Sequence, residues 1–123
     1  MTHQTIGERD TVLDDEDLAA LRENLHEQRL FRQEQLRQFA VHSSNRADDR
    51  RREADAAQIE VGVKLAASAR MVLADVEAAL ARMDSGQYGT CHLCRRAVER
   101  HRLLIVPQAR YCGRCQQVRE AGR

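Results

Sequence analysis

Cys91-His92-Leu93-Cys94 and Cys112-Gly113-Arg114-Cys115 hold all four cysteines of the 123-residue chain, as two CxxC pairs with seventeen residues between them. A tight turn lets both thiolates of one CxxC reach a single ion, and two such turns close a tetrahedral shell around Zn²⁺. The spacing lies in the range read as a structural zinc site. Gly89, ahead of the first pair, and Gly113, inside the second, suit turns that need φ > 0. Two disulfides would require a secretory leader, and a redox CxxC would require a βαβ setting. Neither is visible, so the pattern is read as one structural Zn²⁺ held by Cys91, Cys94, Cys112 and Cys115. Four sulfur ligands leave no open position for water or substrate, so the centre holds structure and hydrolyses nothing. His92 and His101 lie nearby and read as surface histidines while four cysteines are available.

Outside the cysteines the composition argues against a large core. Charged residues make up 32% of the chain, and Phe31, Phe39, Tyr88 and Tyr111 are its only aromatics apart from histidine. Metal and helix pairing must supply the order that burial cannot. The first ten residues show no apolar leader, and no stretch is long and apolar enough to cross a membrane. With reduced cysteines, this gives an expectation of a cytoplasmic protein. Residues 1–44 carry nine acids against five arginines, whereas residues 95–123 carry eight arginines and only Glu99 and Glu120 as acids. An acidic arm and a basic finger can face different partners.

Upstream, Asp14 or Asp15 is placed to cap a helix, with Glu16 and Asp17 at its positive end. Leu18, Leu21, Leu25, Leu36 and Phe39 follow at roughly helical spacing, while Leu30 and Phe31 lie off that seam. No glycine or proline interrupts Asp14 to His42, which gives a helix of about 28 residues, about 42 Å long. His42-Ser43-Ser44-Asn45 is the turn-prone cluster, and Asn45 with Asp48 three residues on resembles a capping arrangement for a second helix. That helix runs to about Met83 on a heptad seam of Ala66, Ala69, Leu73, Val76, Leu80 and Met83. Gly86 is placed to end it as a C′ residue. Gly62, inside it, costs about 1 kcal/mol against alanine.

Two long helices joined by a short turn are antiparallel neighbours. The expected fold is therefore mostly α: residues 1–13 as a lead, residues 14–85 as a coiled-coil helical hairpin with its tip near 43–56, and residues 86–123 as a four-cysteine zinc finger with a short C-terminal helix. A hairpin this thin offers no enzyme pocket.

Gly86-Gln87-Tyr88-Gly89-Thr90-Cys91 resembles the G-x-Y-G-x-C start of the finger in the DksA/TraR family of zinc-finger transcription regulators. Arg102 to Cys112 resembles that family's R-L-x-A-x-P-x-A-x-x-C run, with Ile105 in place of the usual small residue. The narrow, alanine-rich seam supports pairing within one chain, so a monomer is expected. The resemblance implies a protein that binds bacterial RNA polymerase directly rather than DNA. It implies a coiled-coil tip entering the secondary channel to modulate initiation, with ppGpp as a co-effector.

The family's tip motif, D-x-x-D-x-A, does not occur here. Asp55-Ala56-Ala57 matches its second half, with Arg52 in place of the first acid, and Asp48 is followed by Arg50 where the alanine would stand. Asp48, Asp49, Asp55 and Ala57 are the tip candidates. Arg95 follows Cys94 where the family usually has glycine, and Arg95, Arg96 and Arg102 form a candidate basic contact surface. The competing reading is a nucleic-acid-binding finger using Arg95, Arg96, Arg100, Arg102, Arg110 and Arg114. Against it stand the lack of a C2H2 recognition helix and of a base-stacking aromatic platform.

Overall fold

The computed structural model describes residues 12–48 and 56–122, with side-chain surroundings for all of these but 42–48. Four helices follow in order: α1 (Asp15–Asp48), α2 (Ala56–Ser85), α3 (Arg100–Ile105) and α4 (Gly113–Ala121). No strand occurs among the described residues; an isolated antiparallel bridge pairs Thr90 with Ala97. No described helix is long and apolar enough to cross a membrane.

α1 begins on a reciprocal cap. The Asp17 N–H donates to Asp14 Oδ1 at 2.7 Å, and the Asp14 N–H donates to Asp17 Oδ2 at 3.2 Å. Two otherwise unpartnered donors are satisfied at once, and Asp15, Glu16 and Asp17 complement the positive helix end. α2 ends on a Schellman motif, in which Gln87 N–H reaches Arg82 O at 2.9 Å and Gly86 N–H reaches Met83 O at 3.2 Å. Gly86 supplies the φ of +76° that this ending requires.

The hairpin differs from the sequence expectation in where it turns. His42-Ser43-Ser44-Asn45 is not a turn: α1 continues through it to Asp48, and the second helix starts at Ala56 rather than at Asn45. The physical reason is that histidine, serine and asparagine cost at most about 0.7 kcal/mol each in a helix, and no glycine or proline is present to break it. α1 is therefore 34 residues rather than about 28. Asp49 and Asp55 of the tip candidates lie outside the described residues, as do Arg50 and Arg52.

Pairs between the helices fix their register. Arg22 Nη1 meets Asp84 Oδ1 at 2.9 Å and Arg29 Nε meets Glu77 Oε2 at 3.4 Å, so each step up one helix is a step down the other. The helices are antiparallel. Between them Leu25, Val76, Ala79 and Leu80 form one buried cluster, flanked by Val72 and Met83. Of the seam read from sequence, Ala66, Ala69, Val76 and Leu80 are buried and Leu73 and Met83 half-buried. Leu30 and Phe31 are exposed, as their position off the seam requires.

Towards the tip the seam holds small residues, and at Gly62 an added Cβ would meet nothing within 4 Å. Gly62→Ala is therefore expected to stabilise the protein by about 0.5–1 kcal/mol. In urea the midpoint should rise with an unchanged slope.

Candidate metal centre and its anchorage

The segment from Gly86 to Ala121 brings the cysteines together by two different local devices. In the first knuckle the Cys91 N–H donates to Arg96 O at 2.8 Å and the Arg95 N–H to Cys91 O at 3.1 Å, folding Cys91 and Cys94 onto one side of a tight loop. Gly89 leads into it at φ +89°, with Leu103 and Leu13 closing over the position a Cβ would take. In the second, Cys112 is the N-cap of α4 and Cys115 stands in its first turn, where helix N–H groups favour thiolates.

Gly113 does not have the positive φ expected of it: among the described residues only Gly86, Gly89 and Arg95 do. Its lack of a side chain lets the Glu99 carboxylate approach closely. A Cβ there would lie 2.9 Å from Glu99 Oε2, and the Gly113 N–H donates to Glu99 Oε1 at 3.1 Å. The Glu99 carboxylate thus caps α4 from another element. Partial burial raises its pKa, but hydrogen bonds from its own N–H and that of Gly113 outweigh this and hold the value down.

All four sulfurs lie within 4.8 Å of one another, the only such gathering of His, Cys, Asp or Glu atoms among the described residues. Zn–S bonds of about 2.3 Å in a tetrahedron require sulfurs about 3.8 Å apart. Cys94 and Cys112 stand at 3.8 Å. That is far beyond the roughly 2.05 Å of a disulfide, and none of the four cysteines is in one.

Their acidities agree with a cation site. Burial opposes ionisation of Cys91, yet N–H groups of Cys94, Cys112 and Leu93 outweigh it and draw the value down to about 6. Cys115 is pushed up to about 12, first by its contact with Cys112 and then by burial and the other sulfurs. The donors fit one structural zinc ion. His92 packs its ring edge-on to Tyr111, with centroids 6.0 Å apart, instead of joining the cluster. Burial, then Arg82, Arg110 and Arg95, lower its pKa.

The finger is fixed to both helices. Cys91 and Cys112 share a buried cluster with Leu21 of α1, Val98 and Leu103, against which Leu13 and Met83 pack. Arg100 makes a two-pronged bond to Asp17 of α1, with Nε at 2.8 Å and Nη2 at 2.7 Å. Arg110 Nη2 reaches Asp75 of α2 at 2.7 Å. Tyr88, whose burial pushes its pKa up to about 12, donates its hydroxyl to Pro107 O at 2.8 Å. This one bond ties the G-x-Y-G-x-C turn to the later run. In that run Leu103 is buried, and Arg102 Nε donates to Tyr111 O at 2.9 Å.

The predicted site residues thus separate. The four cysteines converge. Arg95 and Arg96 are exposed, while Arg102 is half-buried and holds the fold. Asp48 is the last residue of α1, and Ala57 is exposed in the first turn of α2. Sequence reasoning missed Asp17, Asp75 and Glu99. Only Asp17 carried a local signal, as a helix-start acid, and nothing in the spacing points to their arginine or glycine partners.

This geometry defines a class: an α-helical hairpin locked at its base to a four-cysteine zinc finger. The family of the prokaryotic DksA/TraR C4-type zinc finger matches residues 86–121. Among solved structures, the transcription factor DksA2 from Pseudomonas aeruginosa superposes with a TM-score of 0.66 at 26% identity, covering 88% of this chain and 86% of that one. A protein of uncharacterised function from Aquifex aeolicus (strain VF5) is 35% identical over 52 residues, 41% of this chain and 36% of the relative. The match spans about a third of that relative's length. Residues 86–121 thus carry a finger like that of the DksA/TraR family, on a fold like that of DksA2.

Two outcomes test the anchorage and the knuckle. Hydrogen bonds from Arg100, opposed by partial burial, hold the Asp17 carboxyl at about 2, against its ordinary 3.8. A depressed folded-state value means that ionised Asp17 favours folding above its unfolded pKa, and that this is lost as pH falls through the folded one. The gap in melting temperature between wild type and Arg100→Gln, at saturating zinc, should therefore stay constant from pH 8 down to the pH at which protons displace zinc from the thiolates, since Asp17 remains ionised throughout that range.

Arg95 sits at φ +63°, a left-handed conformation that costs a side chain about 1 kcal/mol and glycine nothing. Arg95→Gly is expected to raise stability by about 0.5 kcal/mol, relief of strain exceeding the added entropy of the unfolded chain. Chemical denaturation of the zinc-loaded protein reads it directly.

Proposed function

We propose that this protein is a DksA-like transcription regulator that binds bacterial RNA polymerase directly. It inserts the far end of the α1–α2 hairpin into the secondary channel and modulates initiation there, with ppGpp as co-effector and without catalysis of its own. The observation that carries the reading is the anchored hairpin. α1 spans about 51 Å at 1.5 Å per residue, and among the described residues the finger's polar contacts fall in the half of each helix nearest it, from Asp17 to Gln28 and at Asp75. A long, thin, rigid projection suits a deep and narrow cavity in a partner. The family finger and the likeness to DksA2 over most of the chain support the same reading.

Asp48, Asp49 and Asp55, with Ala57, are the residues proposed to act at the channel's inner end. Their chemistry there is electrostatic: carboxylates near a catalytic metal and its acidic ligands alter the local field.

The nucleic-acid reading loses support at the finger itself. Of the six arginines that reading names, Arg100 pairs with Asp17, Arg110 with Asp75, and Arg102 bonds the Tyr111 carbonyl. Three remain, too few for a phosphate-tracking surface.

The test is binding of the zinc-loaded protein to purified bacterial RNA polymerase, with free promoter DNA in parallel, followed by run-off transcription with and without ppGpp. Wild type is expected to bind polymerase and not DNA. The Asp48→Asn, Asp49→Asn, Asp55→Asn triple variant is expected to keep binding and to lose most of the effect on transcript yield. Binding to DNA alone, abolished at moderate salt, would overturn the channel reading.

A further inference from the structure

Arg96 and Arg114 are left over once the finger's other contacts are assigned. Both are exposed, and neither takes part in an ion pair among the described residues, whereas Arg100 and Arg110 do. They come from different elements, Arg96 from the loop after the first knuckle and Arg114 from between the cysteines of the second. Yet both line one cavity of about 510 Å³ together with Cys94, Cys112 and Cys115. Cys94 is the exposed cysteine of the four, so this cavity is the open side of the metal centre. Glu99 also lines it, but its carboxylate is turned to the Gly113 N–H.

Arg114 is moreover placed where a cation is disfavoured. It stands in the first turn of α4, at the positive end of the helix dipole, with no acid in that turn to offset it. The Glu99 carboxylate at that helix end and the sulfurs lining the same cavity are the anionic groups nearest to offset it. Four thiolates around one Zn²⁺ sum to a net charge of −2, and two guanidinium groups balance that sum.

We propose that Arg96 and Arg114 are the counterions of the zinc tetrathiolate, screening its charge on the solvent side and thereby holding the metal in place. The two arginines are positioning residues for the metal centre, and their role is independent of any partner of the hairpin. Part of the finger's excess basic charge is thus internal to the protein. Arg95 does not line the cavity and is outside this role.

The test is an equilibrium competition for zinc between the purified full-length protein and a chromophoric chelator, at low and at high salt. At low salt the Arg96→Gln, Arg114→Gln double variant should yield its zinc at a chelator concentration about three- to tenfold below that for wild type, the size expected of two partly exposed charge interactions. The Arg96→Lys, Arg114→Lys variant should stay within about twofold of wild type, since the charge is kept. Near 1 M salt, where the screening length falls to about 3 Å, the difference should nearly vanish.

Arg37→Gln on the hairpin serves as a surface-charge control and should leave zinc retention unchanged. Should the double variant fail to fold, each single glutamine variant is expected to show part of the loss. Equal zinc retention by the glutamine variants and wild type at low salt would overturn the proposal. So would equal loss in the lysine variant, or a loss that salt does not reduce.

Discussion

Two short loops must present four sulfurs to one point, and the residues that do so are also packed against the base of the helical hairpin. Cys91 and Cys112 lie in the same buried cluster as Leu21 of α1, with Val98 and Leu103 completing it. Five buried residues make a small core, of a size that ordinarily needs a staple to persist. The metal centre supplies the staple from inside that core, so gathering the ligands and docking the helices are one packing event. Holding the finger together and holding the hairpin upright cannot be separated in this molecule.

Polar contacts then set the geometry that apolar packing leaves loose. The two-pronged Arg100–Asp17 bond fixes the finger against α1 in both distance and rotation, as a planar guanidinium on a carboxylate does. Arg110–Asp75 ties the finger to α2 in turn. Asp17 has a second task in the cap of α1, so the start of the helix and the seat of the finger share one carboxylate. The family's conspicuous finger positions follow from this arrangement. Gly86 ends α2, Gly89 lets Leu103 and Leu13 close over the turn, Tyr88 crosses to Pro107, and Arg102 supports the chain just before Cys112.

Much of this could be read from residues alone, and the exceptions share a cause. The CxxC pairs were legible because metal chemistry ties identity to spacing. The α2 seam was legible because alternating steps of three and four leave one face to bury. The turn was misplaced because Ser43, Ser44 and Asn45 are weak helix formers rather than helix breakers, and a helix already long tolerates them. Gly113 has no positive φ, and the contact made there is with the carboxylate of Glu99, fourteen residues away, which no local pattern records. The bonds of Asp17 to Arg100 and Asp75 to Arg110 join residues 83 and 35 positions apart. Among so many arginines and acids, composition offers no way to choose the pairs.

The one-sided grip of the finger on the hairpin also makes the molecule an amplifier of displacement. Neighbouring helices stand about 10 Å apart, so a relative shift of about 1 Å where the finger meets them tilts the pair by about 6°. Over the roughly 25 Å of α1 beyond the level of Asp75, that tilt carries the far end through about 2.5 Å. Sub-ångström changes in how Arg100 and Arg110 seat on their carboxylates therefore become movements of atomic size at the opposite end. The stiffness of two arginine contacts sets the aim of the whole hairpin.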